Sequence, residues 1–256
     1  SRKESTLPKL LSSKTITRVG TWNVRTVYEG GKATVIAREM RNYDLQVLGL
    51  CETRWLKAGQ SRLISGEVIL YSGHMEENAY HTEGVGLMLS KEAQKALINW
   101  EPISSRIITA QFKTSHRRIK LKIVQCYAPT NDATGEVKEV FYDSLQTILD
   151  QRKEREIILL MGNFNVKIGS NNTGYEEIMG RHGLGHMNEN GELFVDFCAD
   201  NRVVIGGSIF PHKDVHKATW VSADHVIENQ IDHIGIGTRF RRSLMDVRVK
   251  RGADAA

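Results

Sequence analysis

Apolar residues recur along the chain in two rhythms. Nearly continuous apolar runs, Leu45 to Leu50 and Glu156 to Met161, read as strands buried on both faces. Apolar positions three and four apart read as helices. These cover Lys32 to Arg41, with Ile36, Ala37 and Met40 on one face, and Glu136 to Arg152, with Val137, Val140, Phe141, Leu145, Ile148 and Leu149. A third, Asn190 to Asn201, turns Leu193, Phe194, Phe197 and Cys198 inward. Further strands are predicted over Val19 to Val24, Arg62 to Leu70, Gly84 to Leu89, Arg106 to Phe112 and Arg118 to Cys126, with short ones near Val203, Thr219 and Ile231. A Gly30-Gly31 turn follows the first strand, and Arg117 and Arg118 form a solvated strand start. Residues 1–16 are polar and aperiodic and read as a tail, leaving 17–256 as one domain. Runs of strands between isolated helices predict two packed sheets flanked by helices, and not a pure βαβ alternation.

Composition changes this picture little. Of 256 residues, 40% are hydrophobic and 25% charged, which suits a folded domain with a substantial core and argues against disorder. The excess of 35 basic over 30 acidic residues is compatible with a polyanionic partner without demanding one. Cys51, Cys126 and Cys198 are odd in number and lack short spacings, so a disulfide framework or zinc knuckle is not expected. Buried free thiols point to a reducing, intracellular setting, nuclear or cytoplasmic. The apolar run Ile157 to Met161 is too short to cross a membrane, so no membrane partner is expected. The chain opens on Ser1 with no signal peptide, and the absence of an initiating Met suggests a piece of a longer protein.

Polar residues end several of the predicted strands. Asn23 follows Trp22, Glu52 follows Cys51, Tyr127 follows Cys126, Asn163 and Asn165 follow Met161, and Asp232 lies in Asn229-Gln230-Ile231-Asp232-His233. Singly, each has an ordinary reading: a turn asparagine, a solvated glutamate. Together they form a set that a rigid sheet can aim into a shared groove.

The ordered motifs Thr21-Trp22-Asn23, Cys51-Glu52-Thr53, Tyr127-Ala128-Pro129 and Gly162-Asn163-Phe164-Asn165 resemble those of the endonuclease/exonuclease/phosphatase superfamily. Gln125 to Asp132, Gly183 to Phe197 and Asn229 to Ile234 resemble the RTE-type endonucleases of non-LTR retrotransposons. The resemblance covers roughly residues 17–256. It implies an α/β (α+β) four-layered sandwich of two mixed sheets flanked by helices, DNase I-like. It implies a metal-dependent endonuclease that nicks DNA by in-line attack of water on a phosphodiester. Glu52 would ligate Mg²⁺ (or Mn²⁺), with Asn23 beside the metal and the scissile phosphate. Asn165 would orient that phosphate, Tyr127 would donate a hydrogen bond to it or to the nucleophile, and Asp232 would support the phosphate-side network.

The sequence departs from this pattern twice. Asn163 stands where the superfamily usually has the aspartate that is its candidate general base. The chain also stops at Arg251-Gly252-Ala253-Asp254-Ala255-Ala256, where related chains continue into Ser-Asp-His and a last strand. Both departures imply impaired catalysis in this chain.

Other candidates carry less. Arg239, Arg241 and Arg242, with Arg248 and Lys250, form a basic stretch that is either a solvated edge or a DNA phosphate contact. His182 and His186, and likewise His212 and His216, share a four-residue spacing but lie in loop-like sequence without a third ligand, so solvated histidines are expected. His81 and His233 are candidates for the vicinity of the groove, and Trp220 for the core or a groove wall. Three readings follow: a DNA-nicking domain, a degenerate relic or exapted binding module, and a small-molecule phosphoesterase.

Overall fold

A computed structural model of the chain describes residues 10–11, 15–27, 31–76, 82–222, 224 and 226–253. His81, Gly30 and most of the expected N-terminal tail lie outside these residues. The chain divides into two compact units, one holding the residues up to Gln125 with Lys153–Ile157, the other holding Cys126–Arg152 with Ile158–Ala253.

The first unit carries a five-stranded sheet. In chain order its elements are β1 (Val19–Asn23), α1 (Lys32–Asn42), β2 (Val47–Cys51), β3 (Ala58–Arg62), β4 (Val68–Ser72) and β5 (Val85–Leu89). The strand order is β1-β2-β5-β4-β3. β1 and β2 run parallel with Asn23 opposite Cys51, and the other pairings are antiparallel. The periodicity of α1 has its expected result: Ile36, Ala37 and Met40 are buried in one cluster with Leu48, Leu50, Ile69 and Met88 from three strands. β2 and β5 are buried at every position, so both faces of the sheet centre are covered.

The chain continues through α2 (Lys91–Ala96), β6 (Leu97–Ser104), β7 (Ile107–Lys113), β8 (Lys120–Tyr127), α3 (Gly135–Asp150) and β9 (Glu156–Asn163). It ends with α4 (Glu189–Asp200), β10 (Val203–Ile205), the hairpin β11 (Trp220–Val221) and β12 (Glu228–Asn229), and β13 (Asp232–Gly237). A six-stranded sheet has the order β10-β13-β9-β8-β7-β6. The result is two mixed sheets with flanking helices. No helix among the described residues is long and apolar enough to cross a membrane.

Several expectations need correction. The predicted strand Arg62 to Leu70 is a hairpin, β3 and β4, joined by a turn. β6 and α2 were not legible in the apolar pattern. Val137 and Val140 of α3 and Leu193 of α4 fall on the periodic apolar stripe yet are exposed, while Phe141, Leu145, Phe194 and Cys198 carry the buried contacts. Each helix therefore buries a narrower stripe than its sequence offers. Trp220 is exposed in its hairpin and not a core residue. The three cysteines are buried free thiols.

Candidate active site

Within the first unit, β1 and β2 end together. Their parallel register sets Asn23 beside Cys51, and the backbone N–H of Val24 donates to the Cys51 carbonyl at 3.1 Å. The next residue, Glu52, turns out of the strand with φ 56°, a left-handed conformation uncommon outside glycine. Asn23 Nδ2 donates to Glu52 Oε1 at 2.5 Å, and Asn23 Oδ1 accepts the N–H of Arg25 at 3.1 Å. Asn23 thus orients the Glu52 carboxylate, which accepts the bond. Among the described residues no three His, Cys, Asp or Glu side chains gather into a metal-binding group. One half-buried carboxylate fits a hard cation that retains most of its waters, and does not fit a structural zinc.

Sequence reasoning missed the residue beneath this pair. Gln125 is fully buried in β8 and reaches from the six-stranded sheet to the five-stranded one. Its Nε2 donates to Thr21 Oγ1 at 3.0 Å and to Cys51 Sγ at 3.1 Å, two residues before Asn23 and one before Glu52. Gly49 makes room for it, since a Cβ at that position would stand 1.8 Å from Gln125 Oε1. The sequence signal was a polar side chain within the apolar stretch Ile123 to Cys126 of β8.

The second unit brings together Tyr127, Asn163, Asn165 and Asp232. Asp232 is the antiparallel partner of Asn163 across β13 and β9. The N–H of Ala128, next to Tyr127, donates to the Asn163 carbonyl at 2.8 Å. Asn163 is buried, and its Oδ1 accepts the N–H of Asn165 at 2.9 Å, closing a tight turn. Asn165 sits at φ 52°, a conformation asparagine tolerates, and its Nδ2 donates to the Ala128 carbonyl at 2.8 Å. One of its two amide protons is thereby used. Thr219 Oγ1 accepts the backbone N–H groups of Ile231 and Asp232, at 2.9 and 3.1 Å.

His233 sits behind this loop. It is 1% exposed, packs against Phe164 and Phe194, and its Nε2 donates to the Val166 carbonyl at 3.1 Å. Burial lowers its pKa to about 4, against the opposing effect of that hydrogen bond. The folded state therefore holds the ring neutral while the unfolded state takes up a proton near pH 6.5. The stability tied to a neutral His233 is fully present above pH 6.5 and is lost as pH falls towards 4. The loss is about 3 kcal/mol across that window. Urea midpoints at pH 7 and 4.5 should separate the chain from His233→Phe, whose acid loss should be smaller by roughly that amount. Equal acid sensitivity of the two would refute the assignment.

The remaining candidates lie elsewhere. Arg239, Arg241 and Arg242 are exposed on a 3-10 segment, Thr238–Ser243. Arg241 also lines a cavity of about 290 Å³ with Asn172, Glu176, Arg181 and His182, and none of the six candidate catalytic residues borders it. His212 pairs with Asp246 at 2.6 Å, and His216 is exposed. Gln230 is a second buried amide that sequence reasoning passed over; its Oε1 accepts the N–H of Leu184 at 3.2 Å.

The fold matches those of known structures. The AP endonuclease from Archaeoglobus fulgidus superposes with a TM-score of 0.61 at 12% identity, covering 88% of each chain. The endonuclease domain of TRAS1, a telomere-specific non-LTR retrotransposon, superposes with a TM-score of 0.57 at 12% identity, covering 87% of this chain and 85% of that one. The fold is DNase I-like. The Xenopus laevis APE2 catalytic domain shares this DNase I-like arrangement, with a TM-score of 0.58 at 14% identity over 86% of this chain and 82% of that one. In sequence, the chain is similar to craniofacial development protein 2 of Tragulus javanicus and of Bos taurus, 33% identical to each over 237 residues, or 92% of this chain. It spans 40% and 38% of the length of those relatives. No protein-family model matches. The resemblance read from the strand-end motifs is thus borne out at the level of fold and relatives.

Proposed function

We propose that this chain is a divalent-metal-dependent phosphodiesterase of retrotransposon origin that acts on DNA, with slow turnover. The observation that carries this reading is the Asn23–Glu52 pair, held at the shared end of two parallel strands in a DNase I-like fold. Glu52 would hold Mg²⁺ or Mn²⁺ and Asn23 would fix the carboxylate. The cation, when bound, neutralises charge on the phosphate and on the leaving oxygen. Asn165 offers its remaining amide proton to a phosphate oxygen, Tyr127 offers its hydroxyl, and Asp232 supports the strand end that carries Asn163. Arg239, Arg241 and Arg242 add charge for the nucleic-acid backbone. Asn163 keeps the shape of a carboxylate but cannot accept a proton near neutral pH, which slows the attack on the phosphodiester. That same residue favours a second reading, a nucleic-acid-binding module without turnover.

Titration calorimetry and supercoiled-plasmid nicking test the first reading. The chain should bind Mg²⁺ weakly, and Glu52→Gln should abolish both the binding heat and any slow nicking. Equal Mg²⁺ binding by the two proteins would reject Glu52 as the metal ligand.

A further inference from the structure

The parallel register of β1 and β2 places Thr21 opposite Gly49 and Asn23 opposite Cys51. Side chains two residues apart in a strand point to the same face. These four positions therefore form a square on one face of the sheet. The Gln125 amide occupies three of its corners. Its Nε2 donates to Thr21 and to Cys51, and it lies over Gly49, where a Cβ would stand 2.3 Å from Gln125 Cδ. Asn23 is the fourth corner, and its own amide donates onward to Glu52.

The two ends of the Gln125 amide are treated differently. Nε2 has two acceptors, while the buried Oε1 has no hydrogen-bond partner among the described residues. An unsatisfied buried carbonyl costs stability, and an apolar side chain of the same length would avoid that cost. The flanking positions of β8 show what the core accepts there: Ile123, Val124 and Cys126 are all buried. Packing therefore does not account for a glutamine, nor for the glycine that clears room for it. What the amide adds is a tether between the strand that carries Asn23 and the strand that leads into Glu52. We propose that Gln125 is a positioning residue, which sets Asn23 against Glu52 by tying Thr21 to Cys51 and so shapes the cation site. This deepens the reading of Glu52 as a metal ligand and rests on it.

Gln125→Met keeps the length of the side chain and removes the amide. Three quantities are read: the denaturant midpoint, the exchange rate of the Arg25 amide in EDTA, and Mg²⁺ affinity by calorimetry. The Arg25 N–H donates to Asn23 Oδ1, so its exchange reports the placement of Asn23 with no metal present. The midpoint should hold or rise. The Arg25 amide should exchange about tenfold faster, and Mg²⁺ should bind about tenfold more weakly, as when a group supporting a metal ligand is lost. Thr21→Val removes one of the two acceptors and should shift exchange and affinity in the same directions by less. Combined with Gln125→Met it should add nothing, because both changes break one tether. It decides the matter alone if Gln125→Met fails to fold. Unchanged Arg25 exchange overturns the proposal, as does unchanged Mg²⁺ affinity in a chain whose Mg²⁺ binding Glu52→Gln abolishes. A lowered midpoint with faster exchange throughout β2 also overturns it, making Gln125 an ordinary core residue. Faster Arg25 exchange alone, with Mg²⁺ binding indifferent to both Gln125→Met and Glu52→Gln, upholds the tether and rejects the metal reading instead.

Discussion

Asn163→Asp should raise Mg²⁺-dependent plasmid nicking by about 10²- to 10⁴-fold over the unmodified chain. Asn163 Oδ1 accepts the Asn165 N–H at 2.9 Å, and a carboxylate oxygen can accept the same bond, so the turn survives the change. The new carboxylate would stand across the β9–β13 ladder from Asp232. Two carboxylates on facing residues disfavour double ionisation, which raises the proton affinity of one of them. A base with a raised pKa is better matched to neutral pH than an ordinary aspartate. Nicking is compared for the unmodified chain, Glu52→Gln and Asn163→Asp. An inert Asn163→Asp would favour the binding-module reading, and brisk nicking by the unmodified chain that Glu52→Gln abolishes would show that Asn163 is no handicap.

Gly162→Ala should unfold or nearly unfold the second unit, although it adds only a methyl group. Gly162 sits at φ 145°, which side-chain-bearing residues rarely adopt. A Cβ there would stand 1.9 Å from the carbonyl oxygen of Cys126. That oxygen belongs to the backbone of β8 and cannot swing aside as a flexible side chain would. Backbone strain and overpacking together should cost about 3 kcal/mol or more, a large share of the stability of an ordinary domain. Gly174→Ala is the control: it also has positive φ, at 86°, but a Cβ there meets nothing within 4 Å, so only conformational strain is added. Urea denaturation should place Gly162→Ala far below Gly174→Ala. Similar midpoints for the two would mean that the close approach to Cys126 is absent in solution.

What the sequence determined by itself follows from burial on both faces and from helical period. Leu45 to Leu50 and Glu156 to Met161 were legible as strands because their solvent-free faces leave no polar alternation, and β2 and β9 are buried throughout. α1 and α3 were legible because a helix repeats its buried face every three to four residues. The polar strand ends could be named because ordered motifs survive without any knowledge of the sheets. The rest was set by neighbours distant in the chain. β3 reads Ala-Gly-Gln-Ser-Arg and β6 carries Glu101 and Pro102; both are sheet-edge strands, mostly exposed, so nothing selects for an apolar pattern. Val137, Val140 and Leu193 kept the helical period but found no partner surface, because the width of a buried stripe depends on what packs against it. Gln125 and His233 look like surface residues in the sequence. They are buried because Gly49 opens a slot for one and Phe164 and Phe194 wall in the other. Register belongs to the same class: it sets Asn23 beside Cys51 and Asp232 opposite Asn163, and it is fixed by hydrogen-bonded ladders between segments far apart in sequence.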